Sequence, residues 1–281
     1  MKKIIAAAVA TAFVAPAFAA DVTVSGDVEY TFTSSDSALS DSVGDQDVTV
    51  SATETFNDGM TVSAFVELDG GTAADSRLKL SNSMGTFQIG DDVGTAVTNY
   101  DEKSGGAEAG GLGGTGNVGT DLGMLFQPAT GVDGLEIALG FGNNSSDKNV
   151  TSYVVQYTMG GFTVAAGSTE TEDNDNQEGY VGVSATFGPI NVAYESFSNY
   201  GHTDGDDVDN IHLVYNYGPG NIFVESGERD NGTNTHEETV YGVSYKLNNV
   251  NFYVAVEDEK DGIATTATDV NKTHVGVEYA F

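Results

Sequence analysis

Apolar and polar residues alternate along short stretches that follow one another through most of the chain. The stretch 60–68, with the sequence MTVSAFVEL, is one example, and residues 135–141 and 250–257 are two others. Alternate residues of a strand share one face, so this period of two predicts β-strands. The pattern occurs sixteen times. The predicted strands cover residues 22–32, 47–56, 60–68, 76–82, 86–91, 121–127, 134–141, 151–159, 161–168, 179–187, 190–198, 209–217, 220–228, 239–247, 250–257 and 270–281.

Short and long connections alternate between these predicted strands. Short ones, such as 57–59 (Asn-Asp-Gly) and 188–189 (Gly-Pro), contain residues that favour tight turns. The longer, polar ones are 33–46, 69–75, 92–120, 142–150, 169–178, 199–208, 229–238 and 258–269. This rhythm is typical of an antiparallel barrel in the outer membrane, with short periplasmic turns and long external loops. A soluble Greek-key sandwich gives no reason for it.

The two faces of the predicted strands differ in the way that a membrane barrel requires. One face carries aliphatic and aromatic residues, and the other carries Ser, Thr, Asn, Gly and carboxylates. A transmembrane barrel turns the apolar face to lipid and the polar face to water inside. Aromatic residues at strand ends are interpreted as an interfacial girdle, with the core of a soluble sandwich as the alternative. They are Phe32, Phe56, Phe126, Phe141, Tyr157, Phe162, Phe187, Tyr217 and Phe281.

The first twenty residues have the composition of an export signal. Lys2 and Lys3 precede an apolar run over residues 4–14, and an Ala-Phe-Ala sequence follows at 17–19. We therefore expect a signal peptide over residues 1–20 and a single barrel domain over 21–281. The chain has 42 acidic against 10 basic residues and no Cys. This excludes a nucleic-acid partner, a disulfide framework and a thiolate metal site.

Three stretches carry a resemblance to a known family. Residues 21–30 (DVTVSGDVEY) resemble a first strand after signal cleavage, and residues 76–90 (SRLKLSNSMGTFQIG) resemble the hairpin before a constriction loop. Residues 274–281 (HVGVEYAF) resemble a closing strand with a terminal Phe. The family is that of the general porins of the Gram-negative outer membrane, and the chain is most similar to the compact trimeric porins of photosynthetic α-proteobacteria.

The resemblance implies an all-β fold of sixteen transmembrane strands, a homotrimer and a water-filled diffusion channel with no enzymatic activity. It also implies that the third external loop folds inward to narrow the pore. The implied partners are outer-membrane lipid, lipopolysaccharide and the assembly machinery that reads the terminal Phe281.

The third long connection, 92–120, is the longest, and a loop of that length points to a function. Its glycine pairs, such as 105–106 and 113–114, allow close packing against an inner wall. We interpret it as the pore constriction, with a low-complexity surface loop as the alternative. The enterobacterial signature Pro-Glu-Phe-Gly-Gly is absent from it.

Charged residues on the polar face predict the ion preference of the channel. Rings of carboxylates favour cations, so we expect a cation-selective pore. Glu54 is an exception on the apolar face, which predicts a bulge, a trimer contact or an error in register. The predicted wall carboxylates are Asp27, Glu29, Glu67, Glu136, Glu195, Glu225, Glu257 and Glu278, and the wall bases are Arg77, Lys79, Lys246 and Lys272. The predicted constriction carboxylates are Asp91, Asp92, Asp101, Glu102 and Glu108.

The sequence gives little indication of metal binding or catalysis. The four His residues show no metal-ligand spacing, and we expect no resident cofactor or metal. Carboxylates at 173–176 and 204–209 suggest loose binding of calcium by external loops, without an EF-hand pattern. The alternatives to a porin are a secreted, soluble, acidic β-protein of adhesin type that calcium stabilises, and a barrel enzyme that uses His212 and His274.

Overall fold

The structure is a computed structural model that describes residues 21–35, 38–69, 72–91, 93–97, 122–144, 147–263 and 268–281. These residues form sixteen strands and one short 3-10 turn at Tyr200–His202. None of them belongs to a helix with the length and apolar character that a membrane span requires. The strands are β1 (Asp21–Ser35), β2 (Ala38–Thr55), β3 (Thr61–Asp69), β4 (Thr72–Asn82), β5 (Gly85–Gly90), β6 (Leu122–Pro128), β7 (Leu135–Asn143), β8 (Asn149–Met159), β9 (Phe162–Thr171), β10 (Glu178–Phe187), β11 (Ile190–Ser198), β12 (Asp207–Asn216), β13 (Asn221–Asp230), β14 (Thr235–Leu247), β15 (Val250–Asp261) and β16 (Thr268–Ala280).

All sixteen strands belong to one closed antiparallel barrel. Each strand pairs with the next in the chain, and β1 pairs with β16 to close the sheet. Glu29 lies opposite Glu278 across this closure, and the Phe281 N–H donates to the Gly26 carbonyl at 2.8 Å. Among the described strands, the closed barrel therefore leaves no edge unpaired. The predicted fold of sixteen antiparallel strands is confirmed.

The outside of the barrel is an apolar belt. Val22 and Val24 on β1, Val181 and Val183 on β10, and residues at equivalent positions on other strands are exposed there. All nine aromatic residues predicted for the girdle are exposed as well. A sandwich core would bury these rings, so that alternative is wrong. An exposed apolar belt of this extent is stable only against lipid.

The short turns fall where the sequence predicts them, but the strands run further than predicted at the opposite end. β1 and β2 pair as far as Ser35 and Ala38, so most of the predicted loop 33–46 is an extended hairpin. β15 and β16 likewise pair as far as Asp261 and Thr268. Backbone hydrogen bonds continue there after the apolar alternation ends, because strand pairing does not require apolar side chains.

Candidate functional site

The inner face of the barrel carries all twelve predicted wall charges. Register fixes their direction: Arg77 lies opposite Phe65, and Lys272 lies opposite Glu257, on the face away from the apolar belt. The carboxylates are Asp27 and Glu29 on β1, Glu67 on β3, Glu136 on β7, Glu195 on β11, Glu225 on β13, Glu257 on β15 and Glu278 on β16. The bases are Arg77 and Lys79 on β4, Lys246 on β14 and Lys272 on β16.

A hydrogen-bonded network joins β15, β16 and β1 on this inner face. Lys272 Nζ donates to Glu257 Oε1 at 2.6 Å and to Glu259 Oε2 at 2.8 Å. His274 Nε2 lies 2.9 Å from Glu257 Oε2, and His274 Nδ1 lies 3.0 Å from Thr33 Oγ1. The ammonium of Lys272 is therefore balanced by two carboxylates, and this part of the wall keeps a net negative charge.

Two further wall carboxylates are held by neutral donors. The Tyr253 hydroxyl donates to Glu29 Oε1 at 2.5 Å, and Thr31 Oγ1 donates to the same oxygen at 2.8 Å. Asn251 Nδ2 donates to Glu278 Oε2 at 3.4 Å. Neutral donors fix the position of a carboxylate without cancelling its charge. The field of Glu29 and Glu278 therefore acts on the lumen.

A second polar cluster lies on β11, β12 and β13. His212 Nε2 is 3.4 Å from Glu195 Oε2, and His212 Nδ1 is 3.8 Å from Glu225 Oε1. Glu195 is fully buried, and His212 is 3% exposed. The sequence pattern predicts a strand at His212 but does not connect this residue with the two carboxylates. The contact depends on the register of three strands, for which the sequence gives no signal.

The basic wall on β4 lies next to the root of the third loop. The guanidinium of Arg77 stacks on the Phe65 ring at 5.0 Å from its centroid, and Lys79 is exposed in the lumen. Asp91 accepts hydrogen bonds from the backbone N–H of Ser76 and from Ser76 Oγ, the latter at 3.0 Å. Asp91 thus closes the end of β4 and β5. Asp92, Asp101, Glu102 and Glu108 lie outside the described residues.

The described root of the third loop, residues 93–97, lies inside the barrel. The Ala96 N–H donates to Ser152 Oγ on β8 at 2.7 Å, and Val93, Ala96 and Val97 are buried. A Cβ atom on Gly140 of β7 would lie 2.9 Å from the Ala96 nitrogen, so only glycine permits this approach. The inward course of the third loop is confirmed for these residues. The rest of 92–120 lies outside the described part.

The wall beneath the loop root is apolar, which the alternation of polar and apolar residues does not predict. Seven inward side chains of the wall form one buried cluster with Val93, Ala96 and Val97 of the loop root. The signal that the sequence offers is apolar residues on both faces, as in the adjacent pair Val154 and Val155. The wall members of the cluster are Leu125, Ala138, Val154, Ala165, Tyr180, Phe197 and Val208.

The family model described as Gram-negative porin matches residues 6–281 of the chain. The chain belongs to the Gram-negative porin family. Such porins are outer-membrane channels, and the apolar belt and charged lumen of this one agree with that. The soluble adhesin-like alternative is therefore not supported. No curated protein matches this porin in sequence.

Solved structures with the same fold include porins from several bacteria. OmpT of Vibrio cholerae is 15% identical, with a TM-score of 0.72, and the match covers 95% of this chain and 99% of that one. A mutant of the Rhodopseudomonas blastica porin is 15% identical, with a TM-score of 0.69, over 93% of this chain and 100% of that one. The anion-selective porin from Comamonas acidovorans is 14% identical, with a TM-score of 0.72, over 93% and 100%. These likenesses concern the fold.

At the barrel end that carries the long connections, this porin has an ion pair whose carboxylate is buried and whose guanidinium is partly exposed. Arg229 on β13 donates from Nε and Nη2 to the two carboxylate oxygens of Asp206, at 2.9 and 2.7 Å. The same guanidinium lies 5.1 Å from the centroid of the Tyr200 ring. Burial raises the pKa of the Tyr200 phenol above its usual range. Glu178 accepts the Gly201 N–H at 2.9 Å. The connection between β11 and β12 is thereby fastened to β10 and β13.

Several carboxylates of the two predicted calcium stretches take part in other contacts. Asp173 pairs with Lys148, whose pKa this hydrogen bond raises. Asp207 accepts the Asn199 N–H at 3.0 Å. Within the described ranges, no group of three or more His, Asp or Glu side chains is arranged to hold a metal ion. Loose calcium binding stays a prediction.

Proposed function

We propose that this porin conducts ions and small hydrophilic solutes by passive diffusion and prefers cations. The observation that carries the proposal is the charge of the described inner wall. Eight predicted carboxylates lie on it against four bases, and Lys272 is already bonded to two carboxylates. Low-dielectric walls focus the field of such groups into the lumen, which raises the local concentration of cations.

The ion preference follows from side chains and not from the barrel itself. The porin of Comamonas acidovorans, named as anion-selective, has a similar fold at 14% identity. A barrel of this kind is therefore compatible with either sign of selectivity. In the present chain, the sign is set by which residues the strand alternation turns inward.

A charge reversal on the inner wall tests the proposal. Glu136 on β7 is exposed and faces the lumen, whereas Glu170 on β9 is exposed and faces outward. Glu136→Lys is expected to lower the permeability ratio of potassium to chloride by up to about thirtyfold. A unit charge at about 4 Å in water contributes about 1 kcal/mol, and the reversal changes the charge by two units. The measurement is the reversal potential in a planar bilayer under a KCl gradient.

Glu170→Lys is the matched control, since it makes the same change on the outer face, and it should leave the ratio near that of the wild type. Equal effects of the two variants would contradict the proposal, because net charge and not the lumen would then set the preference.

We also propose that residues 1–20 are a cleaved signal peptide, that the porin is a homotrimer in contact with lipid and lipopolysaccharide, and that Phe281 is read during assembly. Glu54 supports the trimer. It lies opposite Val62 in an unbroken β2–β3 register, which excludes a bulge and a register error. Of the three explanations, contact with a neighbouring subunit agrees with this register. Gentle detergent extraction and crosslinking test it, and a single subunit band would contradict it.

A further inference from the structure

A cavity of about 280 Å³ lies in the inner wall, at the barrel end that carries the short turns. It is bordered by the strands β12 to β16 and by the turn at 218–220, and we call it the turn-end cavity. Lys246 is exposed there, so the cavity is open to solvent. A space of this size has room for one small solute. The polar residues that line it are Asn216, Asn221, Ser244, Lys246, Asn251 and Glu278.

Backbone contacts hold the shape of the turn-end cavity. The Lys246 N–H donates to the Pro219 carbonyl at 2.6 Å, and the Tyr217 hydroxyl donates to the Ser244 carbonyl. A Cβ atom on Gly220 would lie 1.9 Å from the Ser244 carbonyl oxygen, so only glycine permits this approach. The turn is therefore fixed against β14, and the cavity is part of the fold of the wall.

The turn-end cavity contains charges of opposite sign that do not pair with each other. Lys246 on β14 lies opposite Asn251 on β15, which lies opposite Glu278 on β16. Neighbouring strands are about 4.8 Å apart, so the Cα atoms of Lys246 and Glu278 are roughly 9.6 Å apart. Among the described residues, the Lys246 ammonium has no hydrogen-bond or ion-pair partner, and Glu278 accepts only from Asn251 Nδ2, at 3.4 Å. Both charges are therefore available to a solute.

The two charges give the turn-end cavity a positive and a negative side. Glu29 on β1 lies opposite Glu278 and adds a second carboxylate beyond it, so the negative side is that of β16 and β1. Lys246 supplies the positive side. Other bases of the barrel are already bonded to acids, since Lys272 contacts two carboxylates and Arg229 contacts one.

The kind of ligand follows from the order of these charges. Lys246 repels a simple cation, and Glu278 repels a simple anion. A zwitterion of the amino-acid type presents its carboxylate to Lys246 and its ammonium to Glu278, and both hydrogen bonds are then charge-assisted. Such a molecule bridges two charges that are too far apart for a direct ion pair. The amides of Asn216 and Asn251 add donors and acceptors for a polar side chain.

We propose that the turn-end cavity is a binding subsite for small zwitterions of the amino-acid type. The proposal rests on the proposed function, since it makes such a zwitterion one of the hydrophilic solutes that the channel conducts. Binding must then be weak enough to allow release, as conduction requires.

The test is calorimetric titration of the folded porin in detergent micelles, which requires no conduction. L-serine is the probe. Ethanolamine keeps the ammonium without the carboxylate, and L-lactate keeps the carboxylate without the ammonium. L-serine is expected to bind at least about tenfold more tightly than either, because each comparison solute loses one charge-assisted hydrogen bond. Equal binding of ethanolamine would overturn the proposal, since a general attraction of cations would then explain it.

Variants of the two charged residues test the site itself. Lys246→Gln and Glu278→Gln, which remove one charge each, should each raise the serine dissociation constant at least about tenfold. Lys246→Glu and Glu278→Lys should each weaken binding as well. The double variant that carries both exchanges should recover part of the affinity, because serine can bind turned end for end. Serine binding that neither single neutral variant weakens would overturn the proposal.

Two matched variants make the same neutral changes outside the turn-end cavity. Lys79→Gln on β4 and Glu136→Gln on β7 alter exposed residues of the inner wall that do not line the cavity. Neither should change the serine constant. Effects as large as those of Lys246→Gln and Glu278→Gln would overturn the proposal, because the net charge of the lumen would then govern binding.

The reversal potential of the wild type in a planar bilayer separates this proposal from the proposed function. A potassium preference without serine binding would refute the subsite alone. A chloride preference would refute the proposed ion selectivity, while the calorimetric titrations would still decide the subsite.

Discussion

The contribution of an ion pair to the stability of this porin depends on how far the two side chains are buried. The pair formed by Arg229 and Asp206 is nearly closed to solvent on the Asp side, whose side chain is 4% exposed. The pair formed by Lys148 and Asp173 lies open on the surface, with side chains 41% and 71% exposed. An exposed ion pair contributes little, whereas a buried carboxylate that loses its partner remains unsatisfied. The two pairs therefore predict different outcomes for the same kind of mutation.

Arg229→Ala is expected to loosen the connection at 199–206. It leaves the buried Asp206 without its guanidinium, which costs about 1–3 kcal/mol of local stability. Hydrogen exchange of the backbone amides of 199–206 measures this, as local opening sets their exchange rates. Lys148→Ala is the control and should leave exchange in its own loop almost unchanged. Equal protection of 199–206 in Arg229→Ala and the wild type would contradict the role of the pair.

At the scale of elements, the inner wall of β7 and β8 positions the root of the third loop. Gly140 and Ser152 lie opposite each other on these strands, and Ala96 lies against both. The wall is apolar around this contact, so residues 93–97 are held by burial as well as by one hydrogen bond. The loop root is therefore part of the packed interior of the barrel.

Gly140→Val should push the loop root away from the wall and into the lumen. A Cβ atom there meets the Ala96 nitrogen at 2.9 Å, and that backbone atom must move. We expect a lower single-channel conductance. Ser152→Ala leaves the buried Ala96 N–H without its acceptor, at a cost of about 1–3 kcal/mol, but adds no volume, and it should leave conductance close to the wild type. Unchanged conductance in Gly140→Val would show that the loop root does not border the ion path.

The positions of most strands can be predicted from the sequence, because apolar and polar residues alternate with the strand period of two. The same period assigns Glu136, Glu225 and Lys272 to the polar face, which the closed barrel turns toward the lumen. The extension of β1 and β2 toward Ser35 and Ala38 is not readable in this way, since polar pairing leaves no apolar signal.

Contacts between distant parts of the chain are not readable either. Val154 is apolar on the inner face because Ala96 and Val97 pack in the same cluster, and no local pattern reports that. The same holds for His212 between Glu195 and Glu225, and for Asp206 beside Arg229, since each depends on strand register.

At the scale of the whole molecule, the alternation of apolar and polar residues gives the barrel an apolar outer face and a polar inner face. Lipid contacts the apolar belt outside, and water contacts the charged wall inside. The family and the fold make this chain an outer-membrane channel, and one porin with the same fold, that of Comamonas acidovorans, is named as anion-selective. The excess of 42 acidic over 10 basic residues, together with the inward carboxylates, gives this porin its expected preference for cations.

The most direct test of that preference is the reversal potential of the wild-type channel in a planar bilayer under a KCl gradient, at low and at high salt. The account predicts a potential that favours potassium, and a weaker preference at about 1 M than at about 0.1 M, since the screening length falls from about 10 Å to about 3 Å. A potential that favours chloride at low salt would contradict the assignment of the inner-wall carboxylates.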